Sequence, residues 1–289
     1  MTAPSHDRSQ ETLGNIVHLE HVNVSHDDQV AATLFYIVGL GLTRDPYLMV
    51  GLDNMWANVG RSQIHLPTRG KQVLRGRIGL VLPDLAAAKQ RLEKVVKPLA
   101  GTAFQFSGHA DFIDATCPWG NHYRLHAPAP EFGPTTLGLP YVEFNAPCGS
   151  APGIARFYQK ILRTPATLTT QDGAPAAIVT AGKLQRLVYR ETDAPQPPYD
   201  GHHVQIYIAD FAGPHDALAE RGLITEESDQ HQYRFVKIVD PDNGKALFEI
   251  EHEVRSLTHP LYARELVNRN PQQSNTRYAR NGDRYAGIY

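Results

Sequence analysis

The chain is poor in cysteine, in charge of one sign and in long hydrophobic runs, and each shortage excludes a class of protein. Two cysteines, Cys117 and Cys148, among 289 residues do not make a disulfide framework, so a reducing compartment is expected. A formal net charge of −2 lacks the basic footprint of a nucleic-acid-binding protein. No apolar run approaches the roughly 18 residues of a membrane span, and the polar start lacks the apolar core of a secretory signal. We therefore expect a cytoplasmic protein without nucleic-acid or membrane partners.

What the sequence does contain is a repeat at a constant offset of 122 residues. Five residues of the first half recur unchanged in the second, namely Asn23, Phe35, Tyr36, Gly60 and Gln63 as Asn145, Phe157, Tyr158, Gly182 and Gln185. Such self-similarity indicates a fold built by duplicating a unit. At the same offset His21 corresponds to Glu143, so one metal-ligand residue type replaces another. We look for function at these two positions.

Each half of the chain twice shows the order strand, helix, then several short strands, which predicts an α+β fold of four βαβββ modules. Helices are predicted over residues 31–40, 85–96, 153–162 and 213–222. The predicted boundaries are a disordered N-terminus over 1–15, an N-terminal domain over 16–126 and a linker rich in proline and glycine over 127–139. A C-terminal domain over 140–253 and an extension over 254–289 follow.

Four modules in this order resemble the vicinal oxygen chelate superfamily, which includes glyoxalase I, epimerases, fosfomycin-resistance proteins and extradiol ring-cleaving dioxygenases. The resemblance covers roughly residues 16–252, and the phrases that carry it are FYIVGLGL, QIHLP, CPWGN, FYQKIL and DPDNGKALFEI. It implies that the modules pair into two curled mixed-sheet domains, with a divalent metal in a concave cavity. The four-module chain resembles the two-domain build of extradiol dioxygenases more than the two-module glyoxalases.

Strand alternation places Glu143, His203 and Glu249 on the face opposite the apolar residues of their strands. These residues occupy the three positions where, by the resemblance, the superfamily holds its metal, and they are also the catalytic candidates. One imidazole and two carboxylates suit Fe(II), Mn(II), Zn(II), Co(II) or Ni(II). Glu251 competes with Glu249 as the ligand. Further candidates for a fourth ligand or for substrate binding are Gln185, Tyr189, Gln205, Tyr207 and Glu251.

The N-terminal half offers a rival site of His21 and His65, with His122 as a third member. Against it, Arg77 and Arg124 stand at positions where the second half has metal-ligand types, and two arginines would repel a cation. We therefore expect the first domain to be metal-free. A polar cluster in the extension either closes over the cavity or caps the fold, and consists of Arg255, His259, Tyr262, Arg264 and Arg269.

The resemblance implies a metal-dependent enzyme acting on a small oxygenated molecule, and an extradiol-type dioxygenase is favoured. Glu143 departs from the histidine that extradiol enzymes have there, and Val239 stands where they have a tyrosine. A second carboxylate at the metal would favour a Lewis-acid lyase or isomerase like glyoxalase or the epimerases. A non-catalytic small-molecule-binding protein is the third hypothesis. A homodimer is compatible with the long tail.

Overall fold

The computed structural model describes residues 6, 8–48, 53–270 and 273–278. All four predicted helices are present, each following the first strand of a module. The N-terminal residues predicted to be disordered are in part ordered: Arg8–Glu11 is a short 3₁₀ helix. Asn15 is buried and donates from its side chain to the carbonyl of Leu162 at 3.1 Å. Residues 1–5 and 7 of the same predicted segment lie outside the described residues.

Sixteen strands and four α-helices make up the described part of the chain. The first two modules contain β1 (Ile16–Asn23), β2 (Thr43–Arg44), β3 (Asn54–Val59), β4 (Ser62–Pro67), β5 (Gly76–Val81), β6 (Gln105–Gly108), β7 (Phe112–Thr116) and β8 (His122–His126). The last two contain β9 (Gly138–Pro147), β10 (Ala166–Gln171), β11 (Ala174–Thr180), β12 (Arg186–Thr192), β13 (His203–Ile208), β14 (Ile224–Asp229), β15 (Gln232–Val239) and β16 (Ala246–Ser256). The helices are α1 (Gln29–Ala32), which continues as a π-helical segment over Thr33–Gly39, α2 (Leu85–Val95), α3 (Ala151–Lys160) and α4 (Ala212–Ala219).

Two of these helices begin at aspartates that cap them. The side chain of Asp28 accepts hydrogen bonds from the backbone of Val30 at 2.8 Å and Ala31 at 3.0 Å, which satisfies donors that an α-helix leaves unpaired. Asp84 does the same for Ala87 at 2.9 Å. The helix-start role of Asp28 agrees with the sequence pattern around it.

The repeated Phe-Tyr pair lies in the core in both copies. Phe35 and Tyr36 in the first module, like Phe157 and Tyr158 in the third, are fully buried. The Tyr36 hydroxyl lies 2.9 Å from that of Tyr123, and the Tyr158 hydroxyl lies 2.5 Å from that of Tyr189. A buried hydroxyl needs a hydrogen-bond partner, and in each copy a tyrosine from a non-equivalent position supplies it.

The modules pair into two eight-stranded mixed sheets, but not in the order expected. One sheet has the order β14-β15-β16-β13-β1-β4-β3-β2, which joins the first module to the fourth. The other has the order β10-β11-β12-β9-β5-β8-β7-β6, which joins the second to the third. We call them the outer-module sheet and the inner-module sheet. The expected division into 16–126 and 140–253 is therefore wrong for the sheets: similar modules have similar edges, so the pattern within a module does not specify its partner.

The predicted linker lies within one sheet, and the third helix contacts both sheets. Residues 127–139 run from β8 to the beginning of β9 within the inner-module sheet and include a 3₁₀ turn over Pro130–Phe132. Helix α3 contacts β10 and β11 of that sheet and also β15 and β16 of the outer-module sheet. Among the described residues, no helix has both the length and the apolar character needed to cross a membrane.

Candidate metal centre

The inner face of the outer-module sheet is polar, because alternate residues of β13 and β16 point away from the apolar core. In β13, Val204, Ile206 and Ile208 are buried core residues, so His203 and Gln205 face the other way, as predicted. In β16 the acidic and basic residues that share this face are Glu251, Glu253 and Arg255, which pair with His203, Gln205 and Tyr207.

The first strands of the two modules meet in a symmetric arrangement. β1 and β13 run antiparallel, so that His21 lies opposite Gln205 and Asn23 lies opposite His203. Each histidine therefore faces the amide residue that stands two positions beyond the other histidine. The pairing relates His21 to His203 by an approximate two-fold axis between the modules.

The last strands of these modules extend the same symmetry. β4 pairs with β1 in parallel and places His65 beside Asn23, while β16 pairs with β13 in parallel and places Glu253 beside Gln205. His65 and Glu253 are therefore equivalent residues of two related modules. The four side chains that this register brings to one inner face are His21, His65, His203 and Glu253.

Three of these side chains are close enough to share one ion. One ring nitrogen from each of His21, His65 and His203 lies within 4.8 Å of the other two. The His21 ring centroid is 5.6 Å from that of His65 and 5.7 Å from that of His203. Ligands about 2.0–2.1 Å from a metal lie within about 4.2 Å of one another, so a small inward shift of the rings would complete coordination.

Each histidine has an outer partner that orients its ring. His21 Nδ1 lies 2.8 Å from Glu20 Oε2, and His65 Nε2 lies 2.6 Å from Asn54 Oδ1. Since both partners are acceptors, these nitrogens carry the proton and leave His21 Nε2 and His65 Nδ1 with free lone pairs. Neither of those two nitrogens has a hydrogen-bond partner among the described residues, although both are buried. A pair of buried acceptors without donors is expected where a cation belongs.

The third histidine is held between two carboxylates of β16. His203 Nδ1 lies 3.3 Å from Glu251 Oε1, and His203 Nε2 lies 3.5 Å from Glu253 Oε2. The second distance is long for a hydrogen bond and suits two ligands of one ion. Glu253 is only 3 % exposed at its side chain, and Arg234 and Arg255 both form ion pairs with it.

Burial and neighbouring groups shift the pKa values of His65, His203 and Glu253 toward the protonation states that bind a metal. Burial, with a contribution from the neighbouring His21 and His203 rings, lowers the pKa of His65 to about 2. Burial also lowers the pKa of His203. Burial alone would raise the pKa of Glu253, but contact with His203 and the charges of His21, Arg255 and Arg234 lower it well below its ordinary value. Neutral imidazoles and an ionised carboxylate are the ligand forms that metals require.

The predicted ligands Glu143 and His203 lie in different sheets, so the predicted triad does not form one site. Glu143 lies on β9 of the inner-module sheet, where Arg77 donates to it at 2.8 Å, Arg190 at 3.2 Å and Gln171 at 3.0 Å. The buried carboxylate is thus neutralised by arginine. The error follows from the module pairing, since the strand that carries Glu143 joins β5 instead of β13.

Arg77 and Arg124, which led us to expect a metal-free first domain, both form ion pairs with carboxylates. Arg77 also pairs with Asp172 at 2.7 Å, and Arg124 binds Asp114 through two hydrogen bonds of 2.8 and 2.9 Å. These arginines lie on the inner-module sheet. The first module, which carries His21 and His65, is instead part of the candidate centre.

Glu249 is exposed and lies outside the cluster. Its backbone carbonyl accepts a hydrogen bond from Arg75, and its side chain is on the open part of β16. The acidic side chain of this strand that lies beside the cluster on the same face is Glu253, whose Oε2 is 3.5 Å from His203 Nε2. Strand alternation led to Glu249 and Glu251 as candidates, and only the parallel register with β13 brings Glu253 beside Gln205.

The other candidates have varied surroundings. Gln185 bonds the backbone of Leu19 and the ring of His18, so it joins two modules. Tyr189 is a core residue bonded to Tyr158. Tyr207 is buried on the inner face, with its ring 4.9 Å from that of Tyr262.

Two further candidates were Glu251, the competitor of Glu249, and His122, the third member of the rival histidine site. Glu251 pairs with Arg234 at 2.5 Å. His122, on β8, belongs to the inner-module sheet and is not part of the histidine cluster.

Gln205 is the one candidate whose amide has no partner at all in the described structure. It is fully buried between His21 and Glu253 in the register, yet neither its Nε2 nor its Oε1 makes a hydrogen bond. Leaving such a group unsatisfied costs about 1–3 kcal/mol. Its equivalent, Asn23, donates to Gln72 at 3.1 Å.

The residues after β16 pack against the first module, and of that polar cluster only Arg255 lies in the wall of the cavity beside the histidines. Arg264 pairs with buried Asp45 at 2.9 Å, and Asn268 bonds both backbone groups of Gly60 at 3.0 and 2.7 Å. With Tyr262 against Tyr207, these contacts fix the extension across the first module.

A cavity of about 480 Å³ opens beside the cluster. His65, His203 and Glu253 lie in its wall together with Trp56, whose ring stacks on His65 with centroids 3.6 Å apart. A cavity of this volume is large enough for a small organic molecule.

No family model matches the sequence, and no curated protein matches it. Solved structures do match. A proposed dioxygenase from Bacillus subtilis aligns over 87 % of this chain and 88 % of its own, with a TM-score of 0.56 and 12 % identity. Glyoxalase I from Zea mays aligns over 83 % of this chain and 92 % of its own, with a TM-score of 0.54 and 13 % identity. The chain has the glyoxalase I fold. The likeness at this identity concerns the fold alone, and it confirms the α+β class.

A divalent metal fits this glyoxalase-fold site. The two unpartnered imidazole nitrogens, the third imidazole and the ionised carboxylate form a borderline set that suits Fe(II), Mn(II), Zn(II), Co(II) or Ni(II). The set is mostly neutral, unlike the two-carboxylate set expected from the sequence.

Proposed function

We propose that the protein is a metal-dependent enzyme of the vicinal oxygen chelate type, with His21, His65, His203 and Glu253 as the metal ligands. The observation that carries the proposal is the convergence of donor atoms from two symmetry-related modules, with two buried nitrogens left without a partner. Its substrate is a small oxygenated molecule bound in the adjoining cavity.

Ring-cleaving dioxygenase chemistry on an aromatic compound with two adjacent hydroxyl groups is the reaction that the donor set favours. Two histidines with a single carboxylate are typical of non-haem Fe(II) oxygenases, and this set contains one histidine more. The sequence departs from the extradiol pattern at Glu143 and at Val239. The first departure loses its force because Glu143 lies on the inner-module sheet, whereas Val239 still stands where those enzymes have a tyrosine. When bound, a metal held by these residues would supply Lewis acidity to the substrate oxygens and orient them.

The protein's own side chains prepare this site in three ways. Glu20 and Asn54 orient two of the imidazoles through their protonated nitrogens. Arg255 holds Glu253 at 2.5 Å, which fixes the position of the carboxylate and balances its charge. Trp56 covers one face of His65 and restricts water on that side of the cavity.

A Lewis-acid lyase or isomerase is the second candidate, since Glu251 lies 3.3 Å from His203 and offers a carboxylate beside the metal for proton transfer. Its ion pair with Arg234 would have to open first, which makes this the less favoured reaction.

The test begins with elemental analysis of the purified protein after dialysis against a weak chelator. Wild type should hold about one equivalent of metal, and His65→Ala and Glu253→Gln should hold much less. Glu249→Gln and His122→Gln are matched controls that should retain it. Metal lost from the controls, or kept in both site variants, would contradict the proposed ligands.

The reaction is then tested with separate metals. Oxygen consumption with Fe(II) and a catechol supports the dioxygenase. Turnover of a hemithioacetal under nitrogen with Zn(II), Ni(II), Co(II) or Mn(II) supports the lyase or isomerase instead. Tight ligand binding without turnover in any arm would leave a non-catalytic binding protein.

A further inference from the structure

The cavity beside the metal cluster contains three arginines, and they differ in whether a carboxylate balances them. Arg234 forms ion pairs with Glu251 and Glu253, and Arg255 forms ion pairs with Glu253 and Glu20. The charges of both arginines are therefore balanced by glutamates of the protein. They therefore contribute little net charge toward a ligand.

Arg69 is the third arginine of this cavity, and within the described residues no carboxylate forms an ion pair with it. Its side chain makes one long hydrogen bond, from Nε to Ser25 Oγ at 3.4 Å. Its backbone is fixed, since its N–H donates to the carbonyl of His26 at 3.0 Å. Arg69 follows β4 closely, so the chain that carries His65 to the metal cluster also carries this guanidinium to the cavity wall.

The charges around the cavity point to an anionic ligand. Three arginines face three glutamates in its wall, namely Arg69, Arg234 and Arg255 against Glu226, Glu251 and Glu253. Glu20, behind His21, adds one negative charge. A divalent metal would then leave the loaded site with a net positive charge of about one, with the unpaired cation at Arg69.

The chemistry of the walls further restricts the ligand. A guanidinium binds a carboxylate with two parallel hydrogen bonds, and its donor geometry matches that group. Trp56 presents an aromatic surface to the same cavity, and such a surface favours a flat ring. We propose that the substrate is an aromatic acid, whose two adjacent oxygens face the metal ligands while its carboxylate pairs with Arg69. This inference rests on the proposed function and names its substrate class.

The experiment measures binding without turnover, in Zn(II)-loaded protein under nitrogen. Calorimetric titration compares 3,4-dihydroxybenzoate with 4-methylcatechol, which keeps the ring and both hydroxyls but replaces the carboxylate with a methyl group. A charge-assisted hydrogen-bonded pair is worth about 1.5–3 kcal/mol, so wild type should bind the acid at least about tenfold more tightly.

Three variants identify the source of that preference. Arg69→Met should bind the acid about tenfold more weakly and leave the binding of 4-methylcatechol unchanged, whereas Arg69→Lys should keep part of the preference. Arg186→Met removes an exposed arginine on the inner-module sheet and should behave as wild type.

Equal binding of the two compounds by wild type, or a preference that survives in Arg69→Met, would overturn the assignment of Arg69 while leaving the metal centre standing. Binding of neither compound by metal-loaded wild type would count against the proposed function itself, and this inference would fall with it.

Discussion

Two buried carboxylates, Glu143 and Glu253, form ion pairs with arginines on different sheets. We predict that metal binding requires Glu253 and does not require Glu143. Glu143→Gln should destabilise the protein and leave metal binding intact. Removing one partner of a buried ion pair costs about 3–5 kcal/mol. The side chains of Arg77 and Arg190 are 18 % and 26 % exposed, so water takes over part of their solvation. We expect a loss of about 2–3 kcal/mol.

For a chain of this size that loss corresponds to a melting temperature lower by roughly 3–5 °C. The assay is thermal unfolding of each variant, first with chelator and then with metal at about 100 times its dissociation constant. Under the second condition bound metal adds about 2.7 kcal/mol to the stability of wild type. Glu143→Gln should show the full increase, whereas Glu253→Gln should show little or none.

The reasoning would be refuted by either of two results. If Glu143→Gln abolished the increase caused by metal, the carboxylate on the inner-module sheet would be a ligand after all. If Glu253→Gln retained the full increase, the symmetry between His65 and Glu253 would have no bearing on coordination.

Three other changes have definite expected outcomes. Gln205→Leu should leave the metal-free protein as stable as wild type or about 1 kcal/mol more stable, because it removes an unsatisfied buried amide. The same variant should have lower activity, and thermal unfolding and turnover together test this prediction. Burial and the nearby arginines lower the pKa of His126 to about 4, so its contribution to stability is full above pH 6.5 and is lost as the pH falls from there toward 4. His126→Gln should therefore lose less stability than wild type between pH 7.5 and 5 in urea unfolding, and an equal loss would contradict the assignment. Asn268→Ala removes both hydrogen bonds to Gly60 and should cost about 1–3 kcal/mol, measured by the same unfolding, unless the extension contributes nothing to stability.

Local patterns were sufficient to predict the modules and the direction of many side chains. Alternation placed His203, Gln205 and Tyr207 together on one inner face of β13, where the structure has them. The repeated Phe-Tyr pair marked equivalent core positions in two modules. Such signals depend on neighbours in the chain, and a strand's faces are determined by the strand itself.

The sequence pattern does not show which modules share a sheet, and the candidate metal centre depends on that pairing. The strand of His21 could join the strand of any similar module, and the sequence favoured the adjacent one. Glu143 became a predicted ligand because it aligns with His21, although the two lie in different sheets. Equivalence by repeat identifies similar positions within modules and does not say which positions meet.

The sequence analysis missed Glu253 because side chains alternate along a strand, so every second residue of β16 faces the same side and is an equal candidate for a ligand. The fixed parallel register beside Gln205 selects it, and that register comes from tertiary structure. A usable signal was present, since His21 with His65 in the first module and His203 with a late acidic residue in the fourth form matching pairs.

The nesting of the modules has a consequence for how the protein is made. A ribosome releases the second and third modules while the first still lacks its sheet partner, so the inner-module sheet can form during synthesis. Two of the four proposed ligands lie in the first module, whereas Glu253 lies on the last strand of the fourth and is made last of the four. A product that ended before the fourth module would thus carry half of the proposed metal site and an unpaired strand.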